Sequence, residues 1–167
     1  MKYILGVSAW AICIFAGVKF SAKLKKRESA LELVSLFLKS VRIEIEYSSA
    51  PLYELIEKLA SGREFSSLGF VEECRNLLES GTDFPTAWTS SLESFKGVFK
   101  EEEIERLCGL GNCLGTTDVE GQTKILSVYS EYLEEQEKKA KKKREQYGSI
   151  LVYSGAFAGF ALFILIV

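Results

Sequence analysis

Three observations predict an all-α chain, a helical-bundle cytosolic domain of about six helices between two transmembrane helices. Both prolines of the chain, Pro51 and Pro85, stand where a helix can begin rather than inside one. In the middle of the chain, apolar residues recur at spacings of three and four, the period of a single helical face. The remaining apolar residues are gathered into uncharged runs at the two ends, which is how 47% hydrophobic and 26% charged residues share 167 positions.

The first run, residues 3–18, has 16 residues and reaches about 24 Å as a helix. Lys2 and Lys19 must snorkel to lengthen it to a hydrocarbon core of about 30 Å. With those flanks, residues 1–22 read as an N-terminal transmembrane anchor. An uncleaved anchor is preferred to a signal peptide, because no small-x-small cleavage site stands out and a dense basic cluster follows. The last run, residues 147–167, has 21 residues without a charge and reaches about 31 Å, one hydrocarbon thickness. It reads as a C-terminal transmembrane helix.

Orientation follows from the cations beside the runs. Lys19, Lys23, Lys25, Lys26 and Arg27 follow the first, and Lys138, Lys139, Lys141, Lys142, Lys143 and Arg144 precede the second. Cytoplasmic flanks carry such excesses, so residues 28–146 are expected in the cytosol, both termini on the far side, and both clusters at the membrane surface.

Within 28–146 the first helix runs from about Ser29 to Tyr47. Leu31, Val34, Leu38, Val41 and Ile45 form its stripe, and Leu33 and Phe37 broaden it. Pro51 opens a second helix through Leu52, Leu55, Ile56 and Leu59, which Gly62 ends. A third covers about Leu68 to Ser80 and stops at Gly81. The fourth starts in Thr82-Asp83-Phe84-Pro85, where Asp83 or Thr82 can cap free N–H groups; its inward face should be Ala87, Trp88 and Leu92. The fifth begins near Lys100, with Glu101, Glu102 and Glu103 at the positive end of its dipole and Ile104, Leu107, Leu110 and Leu114 inside. The last starts at Thr117-Asp118-Val119-Glu120, a T-x-x-E capping box, and proceeds through Ile125, Val128, Tyr132 and Leu133. No breaker follows between Gln122 and Gln146, so this helix is expected to run on into the second apolar run. Glu134 with Lys138 and Glu137 with Lys141 would support it by about 0.3 kcal/mol each.

Composition excludes much chemistry. Histidine is absent and the formal charge is −2, which removes the usual general base and every Ser-His or Cys-His pair, and leaves no global attraction for nucleic acid. Cys74, Cys108 and Cys113 lack paired spacing and read as three small buried thiols, with Cys13 in the first run; no metal is expected. Gly109-Leu110-Gly111-Asn112-Cys113-Leu114-Gly115 superficially resembles a dinucleotide loop, but the third glycine comes one place late and no strand precedes it. Close helix packing and a C-terminal cap at Gly115 explain these glycines better. No phosphate-binding loop occurs, so neither a cofactor nor an enzymatic activity is expected. Glu101, Glu102 and Glu103 could dock a basic partner. Gly155 and Gly159 form a G-x-x-x-G pair suited to helix packing in a membrane.

Three segments carry a resemblance that covers essentially the whole length: Ile45-Glu46-Tyr47-Ser48-Ser49-Ala50-Pro51-Leu52; Gly81-Thr82-Asp83 with Ala87-Trp88 and Ser91-Leu92; and Leu114-Gly115-Thr116-Thr117-Asp118 with Gly121-Gln122. In their order and spacing the chain resembles the stage III sporulation protein AB family of endospore-forming bacteria. The resemblance implies that Pro51, Leu52, Gly81, Trp88, Gly115, Asp118, Gly121 and Gln122 are structural motif residues. It also implies a component, in the mother-cell membrane surrounding the forespore, of the channel complex between mother cell and forespore. The family is similar, in its soluble part, to the cytoplasmic domain of the platform protein of type II secretion and type IV pilus machines. Its implied partners are a cytosolic secretion-type ATPase, stage III sporulation protein AA, and other channel-complex membrane subunits. Platform proteins carry two copies of the domain and this chain has room for one, which implies a homo-oligomer or added subunits. Ala50 stands where the family often has threonine, so Ser48 or Ser49 is expected to take over the cap at the Pro51 helix. The alternative reading is a small regulatory or sensor subunit of another membrane transport complex.

Overall fold

The structure is a computed structural model that describes the backbone of residues 2–48, 50–95 and 97–166, and their side chains except at 2–10, 13, 14, 149, 151, 152, 155, 156 and 158–166. Among the described residues there are six α-helices: α1 Lys2–Tyr47, α2 Leu52–Ser61, α3 Gly69–Glu79, α4 Phe84–Ser94, α5 Glu101–Cys113 and α6 Val119–Ile166. Among the described residues, no helix is long and apolar enough to cross a membrane. The two expected spans consist largely of residues whose side chains lie outside that description, as do the surroundings of Gly155 and Gly159.

The chain divides into two compact units, one of Ala30–Gln136 and one of Met1–Ser29 with Glu137–Val167. α1 and α6 each contribute to both. The helix expected to begin near Ser29 is instead part of α1, which is continuous from Lys2. Neither glycine nor proline occurs from residue 18 to residue 47, so nothing there breaks the backbone hydrogen-bond ladder. The expected continuation of the last helix is present: α6 is 48 residues long.

In the unit of residues 30–136, Leu31, Val34, Phe37, Leu38, Val41 and Ile45 of α1 are all buried, as their spacing requires. α2, α3, α4 and α5 pack as successive neighbours. Their turns use the expected chemistry. After α3, Thr82 N–H bonds to Leu77 O and Gly81 N–H to Leu78 O, a paired closure that needs the positive φ of +89° at Gly81. Asp83 then caps α4, accepting from Thr86 N–H at 3.1 Å. That bond favours the ionised form and lowers the Asp83 pKa. Gly62 does end α2, but in extended backbone at φ −74° rather than in a left-handed cap.

The core is aromatic at its centre. Trp88 meets Phe70 edge to face at 5.5 Å, lies roughly parallel to Phe37 at 6.2 Å, and Phe37 also meets Phe65 at 5.3 Å. Trp88 is 1% exposed, and burial of an indole N–H demands an acceptor. It finds the main-chain oxygen of Leu107 on α5 at 2.7 Å. Reaching a carbonyl inside a helix requires a gap in that helix's side-chain cover, and Gly111, one turn later, provides it. A Cβ there would stand 2.9 Å from Trp88 Cγ and 3.2 Å from its Cβ. The close-packing explanation of the Gly109–Gly115 segment is therefore correct at Gly111, and Gly115 at φ +80° follows the C-cap of α5.

On α6 the buried face is Leu126, Ser130 and Leu133, while Val128 is 60% exposed and Ile125 and Tyr132 are half-buried. Of Ile125, Val128, Tyr132 and Leu133, only Leu133 is fully buried. Residues 126, 130 and 133 share one face at spacings of four and three, and the sequence holds a second set, 125, 128 and 132, at spacings of three and four, of which packing leaves Val128 exposed. Glu134, expected to pair along its own helix with Lys138, reaches across to Lys39 of α1 at 2.6 Å.

Gly111→Ala is expected to destabilise the fold by about 1–3 kcal/mol, the usual cost of overpacking. Urea unfolding of the full chain in a Trp10→Phe background, followed by Trp88 fluorescence, measures it.

Candidate functional site

Two of the three segments singled out in the sequence, 45–52 and 114–122, meet at one end of the unit of residues 30–136. α1 ends at Tyr47, α2 begins at Leu52, and the turn from α5 to α6 lies against them. An open groove of about 320 Å³ runs between Ile45, Ser48, Pro51, Leu52, Val119 and Gln122. Four of the motif residues, Gly115, Asp118, Gly121 and Gln122, hold the turn. Gln122 uses both ends of its amide, Oε1 accepting from Gly115 N–H at 3.1 Å and Nε2 donating to Thr117 O at 2.9 Å. Asp118 Oδ1 accepts from Gly121 N–H at 3.0 Å, capping α6.

This corrects the expected capping box, in which Thr117 was the cap. The cap is Asp118, and Gly121 leaves room for it: a Cβ there would lie 2.8 Å from Thr117 Oγ1 and 2.9 Å from Asp118 Oδ1. Gly115 faces Leu52, whose Cδ2 lies 4.0 Å from where a Cβ would stand. Pro51, Leu52, Gly115, Asp118, Gly121 and Gln122 are thus brought together. Trp88 belongs to the core and Gly81 to the α3–α4 turn. At Ala50, Ser48 Oγ accepts the Ala50 N–H at 3.2 Å, while α2 itself has no side-chain cap. Ser49 lies outside the described residues.

Around the groove the surface is apolar with more acids than cations, Arg42 and Lys124 lying beside Glu46, Val119 and Glu120. Tyr47 is 83% exposed, Tyr53 and Val119 about half exposed, and Glu46, Glu54, Asp118 and Glu120 are exposed beside them. These aromatics were not singled out from the sequence, because their exposure depends on how the helix ends pack. The arrangement offers shape, apolar area and negative charge, the features of a docking surface rather than of a reaction centre.

The acidic first turn of α5 is less uniform than expected. Glu103 is buried and accepts the Lys100 N–H at 2.7 Å, a capping role. The exposed acids there are Glu101 and Glu102, the latter 3.5 Å from Arg106. Arg106 in turn stacks on Tyr132 at 4.3 Å.

The thiols differ from one another. Cys74 is buried, and burial pushes its pKa up to about 12 against a weaker opposing hydrogen bond from Ser91. Cys108 and Cys113 are only half-buried, which corrects the expectation of three buried thiols. Among the described residues no cluster of Cys, Asp or Glu is arranged to hold a metal.

In alkylation at pH 8, Cys108 and Cys113 should react in the native protein and Cys74 only after unfolding, as peptide-resolved mass spectrometry can establish. The neutral thiol of Cys74 stabilises the fold fully below about pH 9, and that contribution is lost as pH rises towards about 12.

Compared with known families, the chain matches the model of the stage III sporulation protein AB family over residues 2–167. No curated protein matches it, and no solved structure does.

Proposed function

We propose a function from one premise: this chain belongs to the stage III sporulation protein AB family. Its role is therefore in sporulation. Beyond that, our reading is a non-catalytic scaffold and coupling component of the membrane channel complex between mother cell and forespore, with its central domain in the cytosol. It docks a cytosolic secretion-type ATPase, stage III sporulation protein AA, and joins other membrane subunits or further copies of itself.

The match over nearly the whole chain carries this reading, and two features of the fold support it. The first is the exposed apolar and acidic end around Tyr47 and Val119, which suits a basic, partly apolar partner face. The second is α6, which starts at that same end with the Asp118 cap and runs unbroken to Ile166. A packed helical domain pushed at this end can pass movement along a continuous helix. A break would absorb it. The end runs, residues 3–18 and 147–167, serve as the membrane anchors in this reading.

Two outcomes are expected. Deleting the gene in its endospore-forming host should arrest sporulation with an engulfed, shrunken forespore, visible by membrane staining; normal spores would overturn the reading. In co-purification with the ATPase, Tyr47→Ser combined with Val119→Ser should reduce recovery about tenfold or more, as loss of central apolar anchors does. Reversal at Glu101 and Glu102 to lysine should change it far less. The opposite pattern would move the docking face to the start of α5, and full recovery with both variants would remove ATPase docking from the proposal.

A further inference from the structure

Each apolar run adjoins a basic cluster in the sequence, but only the structure brings the two junctions together. In the unit formed by the ends of the chain, one open groove of about 580 Å³ is lined by Val18, Ser21, Ala22 and Lys25 of α1 and by Arg144, Glu145 and Gly148 of α6. Val18 closes the first apolar run and Gly148 lies at the opening of the second. Three small residues, Ser21, Ala22 and Gly148, keep the groove open. A Cβ at Gly148 would already touch Ser21 Oγ at 3.5 Å and Arg144 Cγ at 3.8 Å, so a longer side chain there would occupy the groove.

The cations at this groove are placed for an anion. Arg144 Nε lies 2.5 Å from Glu28 Oε2, which holds the guanidinium in place. A guanidinium has five N–H donors and one carboxylate engages at most two of them, so donors remain. Lys25 is exposed and forms no ion pair among the described residues. Across residues 19–28 and 137–145, eleven cations stand against three carboxylates. Glu145 lines the groove and opposes an anion there, more strongly a doubly charged one than a singly charged one.

We infer that this groove binds the phosphodiester headgroup of an anionic glycerophospholipid, with Lys25 and Arg144 on the phosphate and the acyl chains beside Val18. The inference rests on the membrane reading proposed above. With Arg144 held by Glu28 and Glu145 in the lining, a singly charged phosphodiester is opposed less than a doubly charged free phosphate, and the apolar junction on one side suits a lipid better.

The test is native mass spectrometry of the full chain in detergent with added phosphatidylglycerol. Lys25→Gln and Gly148→Leu should each reduce lipid retention about tenfold, as expected when one charge-assisted contact or the space for the ligand is lost. Lys142→Gln with Lys143→Gln, which removes more charge nearby, should leave retention nearly unchanged. Equal loss in all three variants, or loss only in the last, would overturn the groove in favour of diffuse surface charge. Displacement of the lipid by inorganic phosphate would assign the same cations to free phosphate and overturn the lipid. Carbonate extraction of cell membranes separates the two levels: release of the chain would defeat the membrane reading, whereas membrane retention with unaltered binding by Gly148→Leu would defeat the groove alone.

Discussion

The buried indole of Trp88 is the constraint on which the helical domain depends. Its ring contacts Phe37 and Phe70 while its N–H reaches the Leu107 carbonyl, so one side chain joins α1, α3, α4 and α5. The carbonyl is accessible only because Gly111 carries no side chain. A glycine inside a helix costs about 1 kcal/mol relative to alanine. Here that cost is offset by burial of the largest side chain in the core and by satisfaction of a donor that would otherwise be buried without a partner. The spacing of α4 from α5 is set by that contact.

The charged surface contributes less to stability than its appearance suggests. Glu134 pairs with Lys39, Glu44 with Lys58, and Arg75 with Glu72 and Glu79, all in partly exposed positions. Pairs of this kind contribute about 0–1 kcal/mol each. Lys39–Glu134 and the Arg42–Ser127 hydrogen bond of 3.2 Å lie along the α1–α6 contact and agree with the face of α6 that packing selects. That choice buries Leu126 and Leu133 and leaves Val128 in solvent.

Local rules carried the reading of the fold a long way. Pro51, Gly81, Asp83 and Pro85 act within a few residues of themselves, so the helix limits they set were legible, and the α1 stripe repeats turn after turn without ambiguity. The functional surface was legible in part. Gly115, Asp118, Gly121 and Gln122 are picked out through the family resemblance and prove to build one turn, whereas the exposure of Tyr47, Tyr53 and Val119 follows from the meeting of the α1–α2 junction with the α5–α6 turn far along the chain. Glu103 shows the same limit: it shares its pattern with Glu101 and Glu102, yet its reach back to the Lys100 N–H takes it into the interior.

The sequence by itself determined that this chain is helical, where most of its helices start and stop, and which family it belongs to, because these rest on backbone chemistry and on residues close together. Tertiary structure alone decided which face of α6 is inside, which glycine admits Trp88, and that the two junctions of apolar and basic sequence line one groove. Those outcomes depend on shape between residues far apart along the chain, where periodicity offers several equivalent faces and only packing selects one.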